Sequence, residues 1–250
     1  MASGTYRLGG VAIRIESIFN DVQLMCKDYL TDATPDLTVT TTLADIEEEG
    51  RESDEERKLE GLPEFHFEQP YLETLAVYRK IATALLSRGV MLIHGSVIAV
   101  DGEGYLFTAL SGTGKSTHVR FWRELFGERA VMVNDDKPLV RVSEDARPLV
   151  FGTPWDGKHH LSSNIAVPLR AIVILERGEE NEIHPISAEE AFPTLLQQSF
   201  RPEDPVLTVQ ALQLLSLLSQ QVGLYRLHCN MNPEAAHVAY EGIIKFCPPA

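Results

Sequence analysis

The chain contains few cysteines, and no pairing pattern joins them. Cys26, Cys229 and Cys247 are the only three in 250 residues, and no two of them stand in a CxxC spacing. Neither a disulfide framework nor a zinc knuckle is therefore indicated. Free thiols of this kind fit a reducing compartment, so we expect a cytoplasmic protein.

Basic residues are also scarce. The 22 lysines and arginines are outnumbered by 36 aspartates and glutamates, which gives a formal net charge of -14. Proteins that hold nucleic acid through its backbone need an excess of positive charge to contact the phosphates. The composition therefore argues against a nucleic-acid partner, while a local basic pocket remains compatible with it.

Long apolar runs are missing as well. The opening MASGTYRLGGVAIRIE has no uninterrupted apolar segment after a basic start, so we expect no secretory signal. The most apolar later segment, residues 206–222, is broken by glutamines and serines and is shorter than a span of about 20 residues. We read it as a core helix and expect no membrane partner.

The order of the predicted elements favours an α/β fold. YRLGGVAIRIES and TVTTTL predict short strands, and the first convincing helical periodicity is in YLETLAVYRKIATALLSRG, which ends at a glycine. Beyond it, strand and helix patterns alternate. We expect a β-rich N-terminal part with an acidic loop over residues 1–70, packed on a core over residues 71–250.

The acidic part is the segment from Asp45 to Glu60, DIEEEGRESDEERKLE, which holds nine carboxylates and three basic side chains. A run of this kind predicts a solvated loop or helix surface, because like charges repel and stay hydrated. An interaction arm is the alternative.

A hairpin is predicted within residues 90–109. The apolar runs VMLIHGSVIAV and YLFTA are separated by DGEG, whose glycines supply the positive φ of a tight reversal. If the turn is centred on Gly102 and Glu103, His94 lies across from Ser111. If it is centred one residue earlier, His94 lies across from Ala109.

The segment ALSGTGKS, Ala109 to Ser116, satisfies a relaxed phosphate-loop pattern with alanine in place of the first glycine. An apolar strand precedes it and a helix follows, so backbone N–H groups can cradle phosphate oxygens. We expect Lys115 on the β- and γ-phosphates and Ser116 on a magnesium ion. The expected nucleotide-binding residues are Ser111, Gly112, Thr113, Gly114, Lys115, Ser116 and Thr117.

Paired carboxylates follow the next apolar strand. In VMVNDDK, Asp135 and Asp136 stand where the strand meets solvent, about 20 residues after Lys115. One carboxylate can hold the metal while its neighbour accepts a proton, because successive side chains at a strand end point in different directions. Either hairpin register brings His94 beside the loop, where it can donate to a phosphoryl oxygen, bind a metal or contact the substrate.

The segment FGTPWDGKHHLSSN, residues 151–164, combines turn formers with an aromatic residue and cations, which is typical of a surface loop near a ligand. Lys158 is a candidate anion contact. Arg177, at the end of AIVILER, is a candidate second positive charge for the phosphates or the substrate. His159 and His160 have no partner at a metal-binding spacing.

Taken together, HGSVIAVDGEGYLFTALSGTGKST and the following NDDK resemble the catalytic core shared by HPr kinase/phosphorylase and the ATP-dependent phosphoenolpyruvate carboxykinases. In that superfamily a histidine before the loop, the glycine-rich loop and a paired-aspartate strand end form the site. His94, Lys115, Ser116, Asp135 and Asp136 match these elements. The resemblance implies a phosphoenolpyruvate carboxykinase-like P-loop fold, a mixed sheet with a hairpin-fed Walker A loop.

The same resemblance extends to small bacterial HPr kinase-like proteins. A chain of this length lacks the large oxaloacetate-binding domain of the carboxykinases, which argues against decarboxylation. It also lacks a clear counterpart of the loop with which HPr kinase grips its protein substrate, so the acceptor stays open.

The resemblance thus implies an ATP- and magnesium-dependent kinase that transfers the γ-phosphoryl group to a hydroxyl. We expect the acceptor to be a serine or threonine of a peptide or small protein, with a small hydroxylated metabolite as the alternative. A nucleotide-binding regulatory module with little catalysis is the other reading. Asp135 is the first choice for general base and Asp136 for metal contact, and the exchange of these two roles is the alternative. The sequence is also compatible with a homo-oligomer.

Overall fold

The structure, a computed structural model, describes residues 1–59, 61, 63, 65–110, 112–157 and 160–246. The chain divides into two compact units, Met1–Ala84 and Leu85–Ala250. Each unit has its own sheet. In the part of the chain that the structure describes, no helix has the length and apolar character needed to cross a membrane.

The first unit contains a three-stranded sheet in the order β1-β2-β3. The strands β1 (Ala2–Leu8) and β2 (Val11–Ser17) form the antiparallel hairpin that YRLGGVAIRIES predicts, and β3 (Leu37–Thr40) pairs with β2 in parallel. The helices of this unit are α1 (Asp21–Met25), α2 (Leu43–Leu59) and α3 (Gln69–Leu86), whose last turn contains the boundary between the units.

From Asp45 to Leu59 the acidic segment lies in the helix α2, so of the loop and the helix surface that the sequence allowed it forms the helix; Glu60 lies outside the described residues. Three of its carboxylates are neutralised by α3, because Glu49 and Glu52 pair with Arg79, and Asp45 pairs with Lys80. These pairs hold the acidic helix against α3 and offset the repulsion along its own length.

The second unit is built on a nine-stranded mixed sheet. Its main path runs β4-β8-β9-β10-β6-β5-β7. Off this path, β12 pairs with β10, and β11 pairs with β12. The strands are β4 (Val90–Leu92), β5 (Ser96–Val100), β6 (Glu103–Thr108), β7 (Ala130–Asn134), β8 (Leu139–Ser143), β9 (Ala146–Phe151), β10 (Ala166–Arg177), β11 (Glu182–Pro185) and β12 (Gly223–Cys229). The strands β6, β10 and β12 are mutually parallel, so their carboxyl ends meet at one edge.

Helices cover both faces of this sheet. The helices are α4 (Lys115–Phe126), α5 (Ala188–Gln198), α6 (Pro205–Gln221) and α7 (Glu234–Phe246). Alternate residues of β6 show the two faces: Leu106 packs in the cluster with α5 and α6, whereas Tyr105 and Phe107 pack with α4 and α7. The predicted α/β class is confirmed, and its sheet is mixed.

The hairpin that feeds the glycine-rich loop uses the second of the two registers considered. Ser96 pairs with Phe107 and Val100 with Glu103, around a two-residue turn at Asp101 and Gly102. Both turn residues have positive φ, 52° and 83°. That backbone is the two-residue reversal that matches the twist of the flanking strands, which is why Asp-Gly selects this register.

The run VMLIHGSVIAV is two strands and not one. β4 pairs with β8, whereas β5 pairs with β6 and β7. The break falls at His94 and Gly95. The chain passes close to β6 there, since a Cβ on Gly95 would lie 2.8 Å from the carbonyl oxygen of Phe107, so this position has no room for a larger residue. His94 therefore occupies a bend between strands instead of a ladder position.

Candidate functional site

The glycine-rich loop connects the end of β6 to the start of α4. Gly112 and Gly114 have φ of 74° and 116°, and a Cβ on either would meet nothing within 4 Å. Backbone conformation, and not lack of space, therefore requires glycine at both positions. The first turn of α4 leaves N–H groups without intrahelical partners, which is the property that suits a helix N-terminus to an anion. Ser111 lies outside the described residues.

Lys115 begins α4 and folds back over the loop. Its Nζ donates to the carbonyl oxygen of Ala109 at 3.3 Å. Partial burial lowers the pKa of the Lys115 ammonium group, whereas the charges of Asp136 and Asp135 act in the opposite direction. The lysine and the paired carboxylates are thus near enough to interact electrostatically.

The paired aspartates are held by a buried asparagine. The Oδ1 atom of Asn134 accepts hydrogen bonds from the backbone N–H groups of Asp136 and Lys137, at 2.9 and 2.7 Å. Its Nδ2 group donates to the carbonyl and hydroxyl oxygens of Thr153, at 3.1 and 3.0 Å. Because Asn134 is fully buried, these bonds lock the turn that carries both carboxylates.

Asp135 is the more enclosed of the two carboxylates, with 7% of the residue exposed. Ser96 Oγ donates to its Oδ1 at 3.0 Å. The loop after β9 closes on the other side, since a Cβ on Gly157 would lie 2.9 Å from Asp135 Oδ2. The segment of residues 151–164, for which the sequence predicts a surface loop near a ligand, does approach the carboxylates. It is not fully exposed, because Thr153 and Trp155 are buried. Lys158 and His159 lie outside the described residues.

His94 is the neighbour of Asp136. Its Nε2 lies 3.1 Å from Asp136 Oδ1, and the backbone N–H of Gly95 donates to the Asp136 carbonyl at 2.9 Å. Burial raises the pKa of the Asp136 carboxyl, but the hydrogen bond with His94 and the nearby positive charges outweigh it, so this pKa lies below its ordinary value. Asp136 is therefore ionised at neutral pH. Thr108 Oγ1 donates to the His94 carbonyl at 2.9 Å, which ties this bend to the end of β6.

Arg177 reaches the loop from the end of β10. Its Nη2 donates to the carbonyl oxygen of Gly112 at 2.6 Å. The parallel register explains the approach, because Ile174 of β10 lies beside Thr108, the last residue of β6. Loops that follow neighbouring parallel strands gather at one edge, where ligands of open α/β sheets bind.

Two cavities flank the loop and α4. The first, of about 590 Å³, is bordered by Gly112, His118, Phe121, Arg177, Cys229 and Met231. The second, of about 550 Å³, is bordered by Ser116, Arg120, Arg123, Met132, Asp135 and Leu161. Both volumes lie in the range of small-ligand sites.

The sequence does not single out several residues of this region, notably Asn134, Thr153, His118 and the segment Cys229–Met231. Asn134 could be found from its place directly before the two aspartates, since asparagine favours side-chain bonds to the backbone two residues on. No local signal marks Cys229–Met231, because their place at the site depends on the pairing of β12 with β10.

The donor set of the loop and the carboxylates fits magnesium. Within the described ranges, no three histidine, cysteine, aspartate or glutamate side chains are grouped so as to hold a metal by themselves. Magnesium does not require such a cage, because it keeps several waters and takes one or two carboxylates together with phosphate oxygens. Ser116 and Asp135, which border one cavity, are groups of that kind.

Comparisons with known proteins match a family model and a set of solved structures. The family model described as "SynChlorMet cassette protein ScmC" matches residues 70–232. The solved structure of the Hpr(Ser) kinase/phosphatase from Coxiella burnetii is 11% identical, with a TM-score of 0.31, over 62% of this chain and 97% of that chain. A search of the curated proteins found no match.

Proposed function

The chain belongs to the family of SynChlorMet cassette protein ScmC, and we propose that it is an ATP- and magnesium-dependent kinase with a phosphoenolpyruvate carboxykinase-like P-loop fold. It would transfer the γ-phosphoryl group to a hydroxyl, with a serine or threonine of a peptide or small protein as the favoured acceptor. The proposed kinase core is residues 71–250.

One observation carries the proposal. A cavity beside the glycine-rich loop is bordered by both Ser116, the second residue of α4, and Asp135, at the end of β7. Phosphoryl transfer needs a cradle for phosphates and a carboxylate within reach of them, because its catalysis is mostly positioning and charge neutralisation. The two halves of such a site come from segments about 20 residues apart and share this cavity.

Each proposed role follows from the side chain's surroundings. Lys115 is bonded to the Ala109 carbonyl at 3.3 Å, a weak contact that a phosphate oxygen can replace. Arg177 adds a second positive charge beside Gly112. The backbone amides of residues 112–117 would bind phosphate oxygens. Magnesium would neutralise charge on the transferred group, and Ser116 and the two aspartates would hold it.

The proton of the acceptor hydroxyl would pass to Asp135. Both carboxylates have a partner, since Asp135 accepts from Ser96 Oγ at 3.0 Å and Asp136 lies 3.1 Å from His94 Nε2, but it is Asp135 that borders the second cavity. A carboxylate that borders the cavity suits the role of general base, and the ionised Asp136 suits metal contact. His94 would support Asp136 and the developing charge.

The second cavity also bears on the acceptor. Arg120 and Arg123 of α4 border it together with Asp135. Arg120 has a long contact with Glu124, at 3.7 Å, and lies over the ring of Phe121, but its side chain is 61% exposed, so its charge is open to a ligand. In a protein with a net charge of -14, two arginines beside the proposed base favour an acceptor that carries negative charge.

The test is transfer of labelled γ-phosphate from magnesium-ATP to acceptors in a cell extract. Asp135→Asn and Asp136→Asn should each abolish transfer and leave ATP binding largely intact. Asp101→Asn is the matched control, since it makes the same change at a hairpin turn where the carboxylate pairs with Arg129. Asparagine also tolerates the positive φ of that turn. Unchanged transfer in both site variants would refute the assignment.

A nucleotide-binding regulatory module is the second candidate, because the loop and Lys115 would bind a nucleotide even if no acceptor reached Asp135. Thermal unfolding separates the two. If ATP raises the melting temperature but no extract ever receives phosphate, the kinase proposal fails and the binding module stands.

A further inference from the structure

His118 is a buried histidine that the proposed phosphoryl transfer does not use. It lies on α4 one turn after the glycine-rich loop, with 3% of the residue exposed. Its ring packs edge-on against Phe107, with centroids 4.8 Å apart. It also borders the first cavity, next to Gly112, Gly114 and Thr117.

The hydrogen bond to Trp122 sets the tautomer of His118. The indole Nε1 of Trp122 donates to His118 Nε2 at 3.0 Å. An indole N–H can only donate, so Nε2 must be unprotonated, and the ring proton of the neutral form sits on Nδ1.

The Nδ1–H group has no hydrogen-bond partner among the described residues. Because His118 borders the first cavity, a ligand or water in that cavity is the group that could accept this proton. A donor that is nine-tenths buried and unpartnered costs free energy unless a ligand or water accepts its proton.

Apart from Thr117 and Arg177, which lie beside the glycine-rich loop, the rest of the cavity lining is apolar or already hydrogen-bonded. Phe121, Cys229 and Met231 supply apolar surface. The Asn230 side chain is engaged at both ends, because its Nδ2 donates to the Glu179 carbonyl at 2.7 Å and its Oδ1 accepts from the backbone N–H of Asn232 at 2.9 Å. No carboxylate borders this cavity among the described residues, so its ligand needs an apolar body and a hydrogen-bond acceptor.

We propose that this cavity is a purine-binding site and that His118 is the residue that reads the base, by donating from Nδ1 to a ring nitrogen. The inference rests on the proposed function, since the cavity shares Gly112 and Gly114 with the loop that would hold the phosphates. A purine is planar and largely apolar on its faces, and its unprotonated ring nitrogens accept hydrogen bonds. Because adenine and guanine both carry such nitrogens, this contact does not select one over the other.

The experiment compares binding of ATP, inorganic tripolyphosphate and the 1-, 3- and 7-deaza analogues of ATP, each with magnesium, by calorimetry. ATP should bind more tightly than tripolyphosphate. One deaza analogue, which lacks the accepting nitrogen, should bind about five- to tenfold more weakly than ATP, the usual loss for one hydrogen bond to a buried donor. This arm uses the unaltered protein, so it does not depend on the folding of a variant.

Two substitutions complete the test. His118→Gln keeps an acceptor for Trp122 but loses the Nδ1 donor, so it should weaken ATP binding about five- to tenfold and abolish the discrimination against that analogue. His118→Asn keeps a donor near the Nδ1 position and should bind ATP better than His118→Gln. His237→Gln, at an exposed site on α7, is the control and should change nothing.

The outcomes separate this inference from the proposed function. If ATP and tripolyphosphate bind equally, or if all three deaza analogues bind as ATP does, the purine site is refuted while the phosphate loop stands. If neither ATP nor tripolyphosphate binds, the proposed function fails and the purine site fails with it.

Discussion

Arg177 and Gly112, 65 residues apart in the chain, are joined by a hydrogen bond of 2.6 Å from Nη2 to the carbonyl oxygen. The bond connects the end of β10 to the turn of the glycine-rich loop. It holds a guanidinium group beside backbone amides that would bind phosphate, and it restrains a loop whose glycines are otherwise free to move.

Arg177→Gln should therefore weaken the binding of tripolyphosphate and of ATP about tenfold, or about 1.4 kcal/mol, because a charge and a loop contact are lost together. Arg177→Lys should recover only part of the affinity, since a lysine lacks the planar fork. Calorimetry measures both. Arg147→Gln, which breaks an exposed pair with Glu103, is the control, and equal affinities for it and Arg177→Gln would contradict the assignment.

Asn134 should be the main support of the carboxylate turn. Asn134→Ala leaves two backbone N–H groups and the Thr153 oxygens without their partner, so we expect a loss of about 2 to 4 kcal/mol in the free energy of unfolding. Urea unfolding measures it. Thr153→Ser keeps the hydroxyl and should cost much less. A mild loss in Asn134→Ala would mean that the turn is held by other contacts.

The pair of His94 and Asp136 should set the acid limb of the pH profile, the range in which transfer activity falls as the pH is lowered. The hydrogen bond with His94 lowers the pKa of the Asp136 carboxyl. Removing it in His94→Ala raises that pKa, so the pH at which the carboxylate protonates and activity falls should move upward. His94→Gln retains a donor and should shift the limb less. The pH profile of transfer checks this, and an acid limb common to all three proteins would exclude Asp136 as its origin.

Glu73 should be a stability determinant of the first unit. This fully buried carboxylate accepts from the backbone N–H groups of Ile18 and Phe19, at 2.6 and 2.8 Å, and from the hydroxyl of Thr41. Glu73→Ala would leave these donors unpaired, and we expect a loss of about 2 to 4 kcal/mol in urea unfolding. Glu47→Ala, on the exposed face of α2, should be nearly neutral, and similar losses in both variants would argue against this role.

Short local patterns account for several helix boundaries. The capping box of Ser187 and Glu190 opens α5, and Gly127, with positive φ, ends α4. Such features depend on residues three or four apart, so the sequence displays them directly. The strands β9 and β11 were not predicted, because short strands with mixed burial carry little periodicity and gain their stability from neighbours distant in the chain.

By itself the sequence determined the α/β class, the hairpin with its two candidate registers, the glycine-rich loop and the paired aspartates, because each is written in a few consecutive residues. Only the tertiary structure decided that β12 lies parallel to β10, which brings Cys229 and Met231 to the loop, and that Trp122 fixes the tautomer of His118. Strand neighbours and buried hydrogen bonds depend on which surfaces meet when the core closes, and no local periodicity records that choice.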